Sequence, residues 1–318
     1  MQSSWEQYEK SFAKAMSSEN PLLNEVLGYI RIRAGKQLRP LLVLLSAELS
    51  RGVTDKTIQT AVALELLHNA TLVHDDVVDS SALRRGEPSV HAKWSNKVAV
   101  LVGDYMLARV INTIADIRST QILNIVSRLG TSLSSGELLQ LHANGSMWID
   151  ERQYMRIIDE KTAQLFACCT EAGAESCGAT MRQTTALREF GRHLGMCFQL
   201  KDDIFDYSDS EELGKPTMND IRDGKVTLPL IVSLERAHRD EAERIRSLAE
   251  ALTQGLADVH DAEQEIKSFV LRYDGIRYAM ARMNEHKKKA EEALEVFRDS
   301  TTKRSLLMLL EYAVNRSY

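Results

Sequence analysis

The stretch Asp55-Lys56-Thr57-Ile58-Gln59-Thr60-Ala61-Val62-Ala63-Leu64-Glu65-Leu66-Leu67-His68-Asn69-Ala70-Thr71-Leu72-Val73-His74-Asp75-Asp76-Val77-Val78-Asp79 decides the fold. Ile58, Val62, Leu66, Asn69 and Val73 trace one face of a helix, and Leu64, Leu67, His68 and Thr71 lie on another. A helix apolar on several sides is one buried at the centre of a large bundle. Working outward, the same period runs through residues 96–117, 120–143, 151–177, 184–208, 225–238 and 263–296, with a final helix near 301–315. Period-two alternation is scarce. Breaks fall at Gly35 to Pro40, Arg85-Gly86-Glu87-Pro88, Gly145, Gly178 and Gly214-Lys215-Pro216, and none is long enough to be a flexible linker. The expected fold is all-α, in a single domain over residues 1–318.

Composition agrees. The chain has 318 residues, 44% of them hydrophobic, enough for a large core, and only 5 prolines, which disfavours a loop-rich or β-sandwich fold. A net charge of −5 argues against a nucleic-acid binder, which needs a basic excess to neutralise phosphates. Cys168, Cys169, Cys177 and Cys197 form no CxxC pair and sit in apolar segments, so they read as buried free thiols rather than a disulfide or zinc framework. Residues Met1 to Gln7 lack the basic start and apolar core of a signal peptide. The longest conspicuous apolar run, Leu41 to Leu45, is far short of the ~20 residues that cross a bilayer. The expectation is a soluble, cytoplasmic protein with no transmembrane segment. Lys287-Lys288-Lys289 lies among glutamates and reads as a solvated helix face.

Two carboxylate clusters carry the chemistry: Asp75-Asp76-Val77-Val78-Asp79 and Asp202-Asp203-Ile204-Phe205-Asp206. The first and last aspartates of each are four residues apart, so on a helix they project from one face. Both clusters end strongly apolar helices, where several like charges are costly unless cations compensate them. Oxygen-only ligands suit a hard ion, and sparse carboxylates suit Mg²⁺, which takes further oxygens from a substrate phosphate. An EF-hand is excluded, because its glycine and its terminal glutamate are both missing.

The complementary feature is cationic. Lys36 and Arg39, three residues apart in Gly35-Lys36-Gln37-Leu38-Arg39-Pro40, lie where a helix should begin and suit a diphosphate. Arg84 and Arg85 follow the first cluster directly, and His68 lies two turns before Asp75 on nearly the same face. Lys161, Thr162, Gln199, Lys215 and Lys225 are further polar residues in or beside apolar segments. Metal-holding carboxylates and separate basic groups imply two polyanionic ligands in one cavity.

The stretch from His68 to Asp79, continuing to Leu83-Arg84-Arg85-Gly86, resembles the first aspartate-rich region of the trans-prenyltransferases, the polyprenyl diphosphate synthases. Phe198-Gln199-Leu200-Lys201-Asp202-Asp203-Ile204-Phe205-Asp206 resembles the second. Gly35-Lys36-Gln37-Leu38-Arg39-Pro40, Gly103-Asp104-Tyr105, Gly136-Glu137-Leu138-Leu139-Gln140, Lys161-Thr162 and Gly224-Lys225-Val226-Thr227-Leu228-Pro229 match in order, and the resemblance runs from about residue 20 to the end. It implies a helical isoprenoid-synthase bundle around a deep central cavity, usually a homodimer, that joins isopentenyl diphosphate repeatedly to an allylic diphosphate with trans double bonds. By resemblance, Asp75, Asp76 and Asp79, with Asp202 and nearby Asp203 and Asp206, hold three Mg²⁺ ions. Arg84, Lys161, Lys215 and Lys225 then grip the allylic diphosphate, and Lys36, Arg39, His68 and Arg85 bind isopentenyl diphosphate. Breaking the allylic C–O bond releases diphosphate and leaves a carbocation, so catalysis consists of stabilising the leaving charge in a site shielded from water. Thr162 and Gln199 would steady the cation with their dipoles. Two positions depart from the family pattern: Ala34-Gly35, where two glycines are usual, and Met218, where glycine is common, which puts the placement of Lys215 in question.

Product length depends on what blocks the cavity below the first cluster. Ala70 and Thr71, one turn earlier, are small, whereas short-chain relatives place a bulky aromatic nearby as a floor. The two-residue spacer within Asp75 to Asp79 also resembles the long-chain enzymes. Growth past Leu67 and Leu64, at ~5.4 Å per turn or roughly one isoprenoid unit, predicts a product of about thirty to forty-five carbons, a quinone side-chain precursor that would be handed to a membrane. The alternatives are a synthase of shorter product, geranylgeranyl or farnesyl diphosphate, and a non-catalytic subunit of a two-component synthase. All six aspartates remain, which speaks against the latter. A terpene cyclase would mix Asn, Ser or Thr with Glu in its second motif.

Overall fold

The computed structural model describes residues 2–33, 35–146, 148–207 and 218–316. In chain order come helices α1 (Gln2–Ala15), α2 (Pro21–Ile32), α3 (Leu38–Ser50) and α4 (Asp55–Val78), then a hairpin of strands β1 (Leu83–Arg84) and β2 (Glu87–Pro88). Helices α5 (Val90–Lys93), α6 (Asn96–Ile117), α7 (Thr120–Ser146) and α8 (Glu151–Ile158) follow, then a π-helical turn (Asp159–Ala163), α9 (Gln164–Ser176) and α10 (Met181–Phe205). The rest is α11 (Asn219–Arg222), α12 (Leu228–Arg236), α13 (Arg239–Thr253), α14 (Val259–Arg272), α15 (Gly275–Ala293), a 3₁₀ turn (Leu294–Val296) and α16 (Thr301–Asn315). The all-α expectation holds, with the small hairpin as the only sheet among the described residues.

Two compact units divide the chain. The first comprises Met1–Arg128, Cys168–Arg188 and Val296–Lys303. Its axis is α4, which packs against α1, α3 and α6. Ala61, Ala63, Leu64, Leu66 and Ala70, spread around the helix, are all fully buried, as its lack of a polar face predicts. Burying each such leucine contributes roughly 1.5–3 kcal/mol. The helix starts at a reciprocal cap: the Thr57 amide donates to Thr54 Oγ1 at 3.2 Å, and the Thr54 amide to Thr57 Oγ1 at 3.0 Å. Helix α6 approaches α4 closely because Gly103 has no side chain; a Cβ there would stand 2.1 Å from His74 Nε2.

The second unit comprises Leu129–Ala167, Glu189–Glu295 and Arg304–Tyr318. Helix α12 packs against α8 and α15, and α13 against α14. Here the segmentation departs from the periodicity reading. The expected helix 151–177 is interrupted by the π turn, which Gly136 and Gly195 accommodate: a Cβ on Gly136 would lie 2.8 Å from the Lys161 amide nitrogen, and one on Gly195 2.6 Å from Ala163 Cα. The expected helix 263–296 is two helices, α14 and α15, broken at Asp274, whose φ is 57°. Gly145 breaks nothing, since α7 continues to Ser146. Helix α13, absent from the expectation, has a thin apolar stripe (Ala242, Ile245, Ala249, Leu252) among many charges.

All four cysteines are free thiols, three buried and Cys177 half-buried. Lys287 pairs with Glu311 at 2.5 Å, and the exposed Lys288 lies 3.8 Å from Glu292, as a solvated face should. Judging spans by uninterrupted apolar runs missed α6, which by length and composition alone could cross a bilayer, with 33% of its apolar window buried.

Candidate active site

In the first unit the functional side chains cluster at the C-terminal end of α4. Asp75 and Asp76 occupy its last turn, and Asp79 is the capping residue. The helix dipole places negative potential here, so three carboxylates add to a charge that only cations relieve. Asp76, 3% exposed, accepts from Arg84 Nε at 2.8 Å. Arg84 is delivered by the hairpin, whose two turn residues, Arg85 and Gly86, both have positive φ (56° and 80°), the type I′ geometry that matches strand twist. The Arg85 guanidinium donates to the Arg33 carbonyl and lies against Gly35, where a Cβ would be 2.5 Å from its Nη2. The departure from two glycines thus keeps the one that Arg85 needs; Ala34 lies outside the described residues.

Lys36 is exposed just before Gln37, which turns the chain into α3 in the left-handed region (φ 45°). Arg39 lies in the first turn of that helix and is half-buried, with its Nε shielded from solvent; this desolvation lowers its pKa, while the buried Glu65 opposes the shift. His68 is buried too; burial first, then the charges of Arg39, Arg85 and Arg84, hold its pKa well below the usual 6.5, so the ring is neutral. A cavity of about 440 Å³ opens among Tyr29, Arg33, Asn69, Asp76, Arg84 and Arg85. On α4, Leu67 and Ala70 are buried and Thr71 is half-buried, its hydroxyl donating to the His68 carbonyl at 2.9 Å.

The second unit gathers its polar groups at the end of α10. A cavity of about 610 Å³ is lined by Tyr154, Lys161, Thr162, Gln199, Asp203, Asp220 and Lys225, among others. The π turn aims Lys161 and Thr162 inward, the displacement such bulges produce at functional sites. Lys161 Nζ rests on Glu137 at 2.6 Å, and Lys225 Nζ lies 3.4 Å from Asp223. Thr162 Oγ1 donates to Gln199 Oε1 at 2.8 Å, and Gln199 Nε2 donates to Asp203 Oδ1 at 2.8 Å. The other Asp203 oxygen accepts from the Tyr154 hydroxyl.

Asp202 pairs with Arg316 at 2.5 Å, the arginine also stacking on Phe198 at 3.9 Å. Asp206 accepts the amides of Asn219 (3.0 Å) and Asp220 (3.1 Å) and so anchors α11. Met218 enters that helix at φ 61°, the left-handed geometry that glycine adopts without penalty. Burial raises the pKa of Asp203 well above the ordinary carboxylate value, with Asp220 adding to it; Asp206 is raised by burial as well. Asp220 is pushed up to about 7 by burial and by Asp206, with Lys225 opposing.

Among the described residues no three His, Cys, Asp or Glu side chains converge as a metal-holding group; the aspartates are met by Arg84, Arg316 and backbone amides. The donor chemistry nevertheless fits a hard cation. Every candidate ligand is a carboxylate, and crowding raises the cost of their charges in the second cluster, which divalent ions would relieve. The sequence reading missed Tyr154, Asp220, Arg316 and Glu65. Glu65 and Asn69 share the face of His68 and Asp76, a signal that i, i+4 spacing offers. Arg316 and Tyr154 carry no local motif. Lys215 lies outside the described residues.

Residues 20–267 match the polyprenyl synthetase family. The octaprenyl diphosphate synthase of Haemophilus influenzae is 36% identical over 304 residues, covering 95% of this chain and 91% of that one. A crystal structure of a decaprenyl diphosphate synthase from Rhodobacter capsulatus superposes with a TM-score of 0.92 at 31% identity, over 99% of this chain and 97% of that one. A polyprenyl synthase from Caulobacter crescentus, complexed with calcium and isoprenyl diphosphate, gives 0.90 at 32% identity, over 100% and 96%. The chain belongs to the polyprenyl synthetase family and is a prenyltransferase.

Proposed function

We propose that this prenyltransferase condenses isopentenyl diphosphate repeatedly onto an allylic diphosphate and releases an all-trans product of about thirty to forty-five carbons, at ~5.4 Å of helix per unit. The observation that carries the length is the small, buried Ala70 on α4, preceded on that helix by the buried Leu67 and Leu64 rather than by an aromatic residue. In this reading residues 1–318 act as one synthase domain; the family match running from residue 20 to 267, through parts of both units, supports it.

Asp75, Asp76, Asp79, Asp202 and Asp206 are the residues that would hold Mg²⁺, three ions per site. When bound, the ions neutralise the departing diphosphate. Arg84, Lys161 and Lys225, with Lys215, bind the allylic diphosphate. Lys36, Arg39 and Arg85 bind that of isopentenyl diphosphate, and the neutral His68 supplies a hydrogen bond rather than a charge. Arg84 and Lys161 each rest on a carboxylate, so a diphosphate replaces one anionic partner with another and no buried cation is stranded. Thr162 and Gln199 present oxygen dipoles to the allylic cation, and apolar walls keep water from it.

The enzyme works as a homodimer in the cytoplasm and passes its product to a membrane. The outward residues Leu101 and Ile111 of α6, each 67% exposed, supply an apolar strip that a second copy would cover. Incubation with Mg²⁺, isopentenyl diphosphate and farnesyl diphosphate, followed by mass analysis of the dephosphorylated products, tests the reading. A ladder ending between thirty and forty-five carbons is expected. A stop at twenty would place a floor higher in the tunnel, and no product would move the chain to the partner-subunit reading.

A further inference from the structure

Asp203 stands apart from the other aspartates of its motif. It is 3% exposed, and both carboxylate oxygens are engaged by neutral donors: Gln199 Nε2 at 2.8 Å on Oδ1 and the Tyr154 hydroxyl on Oδ2. Asp202, one residue earlier, is half-buried and meets a full cation, Arg316. Asp206 meets backbone amides at the rim. Tyr154, itself buried, comes from α8, just beyond the Asp150 cap whose side chain accepts the Gln153 amide at 2.7 Å, so its ring is delivered by a capped and rigid first turn.

The consequences run along the chain of donors. Gln199 turns its NH₂ toward Asp203 Oδ1, which leaves its C=O facing away. That carbonyl takes the hydrogen of Thr162 Oγ1 at 2.8 Å. With its hydrogen so committed, the Thr162 oxygen keeps its lone pairs for the cavity it lines. Each bond in such a series polarises the next. Thr162 sits on the π turn, whose neighbouring residues Lys161 and Ala163 pack closely against Gly136 and Gly195.

We propose that Asp203 is not a metal ligand but the anchor of a hydrogen-bonded series, Tyr154–Asp203–Gln199–Thr162, and that Tyr154 is a positioning residue which, through Asp203, holds the Thr162 oxygen electron-rich side toward the allylic carbocation. This rests on the prenyltransferase reading above. The Tyr154 hydroxyl is committed to Asp203. Its effect reaches the reacting carbon through the side chains between them, and it stabilises the transition state rather than the bound diphosphates.

The test is a double-mutant cycle on the full chain with Tyr154→Phe and Asp203→Asn, reading kcat, KM for both diphosphates and half-saturating Mg²⁺. Asparagine keeps a carbonyl for Gln199 and removes the charge. Tyr154→Phe is expected to lower kcat about tenfold and Asp203→Asn up to about a hundredfold, the range for groups that orient others. Both KM values and the Mg²⁺ half-saturation should stay within about twofold of wild type, and the double variant should be no slower than Asp203→Asn alone. Additive losses would mean that Tyr154 acts independently of Asp203, and a several-fold rise in half-saturating Mg²⁺ for Asp203→Asn would make Asp203 a ligand; either overturns the proposal. Should Tyr154→Phe not fold by circular dichroism, the same cycle with Thr162→Val and Asp203→Asn decides, and Thr162→Ser, which retains the hydroxyl, should recover most of the Thr162→Val loss. Wild-type enzyme that yields no product ladder would instead remove the proposed chain-elongating activity, which keeps the two failures distinct.

Discussion

The two aspartate clusters share one pattern, DDxxD at the end of an apolar helix, yet the units treat their middle residues in opposite ways. Asp76 and Asp203 are equally buried at 3% exposure. Asp76 is answered by a half-exposed arginine on a hairpin, a charge that can leave, whereas Asp203 is answered by a buried phenol and an amide held in rigid helices. A carboxylate whose partner is a removable cation is ready to exchange it for metal. One sealed by neutral dipoles is built to orient them. The shared motif therefore specifies where carboxylates stand but not what they do, because the job depends on partners that arrive from other helices.

The largest expected effect tests that contrast directly. Asp76→Asn should lower kcat about a thousandfold, near the upper range for loss of one preorganised electrostatic group, and raise half-saturating Mg²⁺ several-fold. Titrating Mg²⁺ against initial rate checks both. If Asp76→Asn and Asp203→Asn displace the Mg²⁺ curve equally, the two clusters are alike and the comparison collapses.

A second experiment asks whether product growth follows α4. Ala70→Phe adds an aromatic ring at a fully buried position one turn from Asp75. The product should shorten from about thirty to forty-five carbons toward fifteen or twenty, one unit for each ~5.4 Å of helix blocked. Mass analysis of the dephosphorylated products would show it, and an unchanged ladder from both Ala70→Phe and Thr71→Phe would remove α4 as the tunnel wall.

Much of this was legible in the sequence. The burial of α4 follows from apolar residues on all its sides, and most acidic and basic groups of both cavities, Arg33 and Asp220 excepted, could be named from spacing and resemblance. What escaped has physical causes. The π turn at Asp159–Ala163 shifts the helix by one residue and leaves the apolar period nearly intact, so a periodic reading cannot see it. The break at Asp274 depends on a left-handed residue that is not glycine. Helix α13 buries only a thin stripe and owes much of its surface to ion pairs such as Arg239–Glu243 at 2.8 Å. Arg316 reaches Asp202 from 114 residues away, and Tyr154 reaches Asp203 from 49, contacts that only tertiary packing creates.

A smaller effect contrasts the histidines of the two units. His68 is kept neutral by burial and three arginines, whereas in the second unit His193 and His286 share one proton between Nδ1 atoms 2.9 Å apart. Burial lowers both, and the pair's mutual effect with Lys289, Arg282 and Arg192 takes His286 to about 3, while Glu189 opposes the shift of His193. The unfolded chain takes up its protons near 6.5, so below that pH it binds more protons than the folded one. Stability should be flat above 6.5 and fall as pH drops from 6.5 toward 3, by on the order of 1 kcal/mol at pH 5.5. Urea midpoints at pH 7.5 and 5.5 measure it. His286→Gln should shrink the difference, and an equal drop in that variant would assign the loss to other groups.

The smallest effect concerns the segment that anchors Asp206, where backbone strain and side-chain burial pull in opposite directions. Met218 holds a left-handed φ of 61°, a geometry that costs a non-glycine residue about 1–2 kcal/mol, so glycine would relieve it. The same side chain is 2% exposed, and burying a methionine is worth roughly 1.5–3 kcal/mol, which glycine forfeits. Glycine also has more backbone freedom to lose on folding. Burial and entropy together outweigh the strain, so Met218→Gly should destabilise by about 1 kcal/mol, a fall in melting temperature of roughly 2–4 °C. The Met218 amide donates to the Asp206 carbonyl at 2.9 Å, and the next two amides hold the Asp206 carboxylate. A rise in melting temperature would show that strain outweighs burial, and that the chain bears it at this position to keep those three amides turned toward the second cluster.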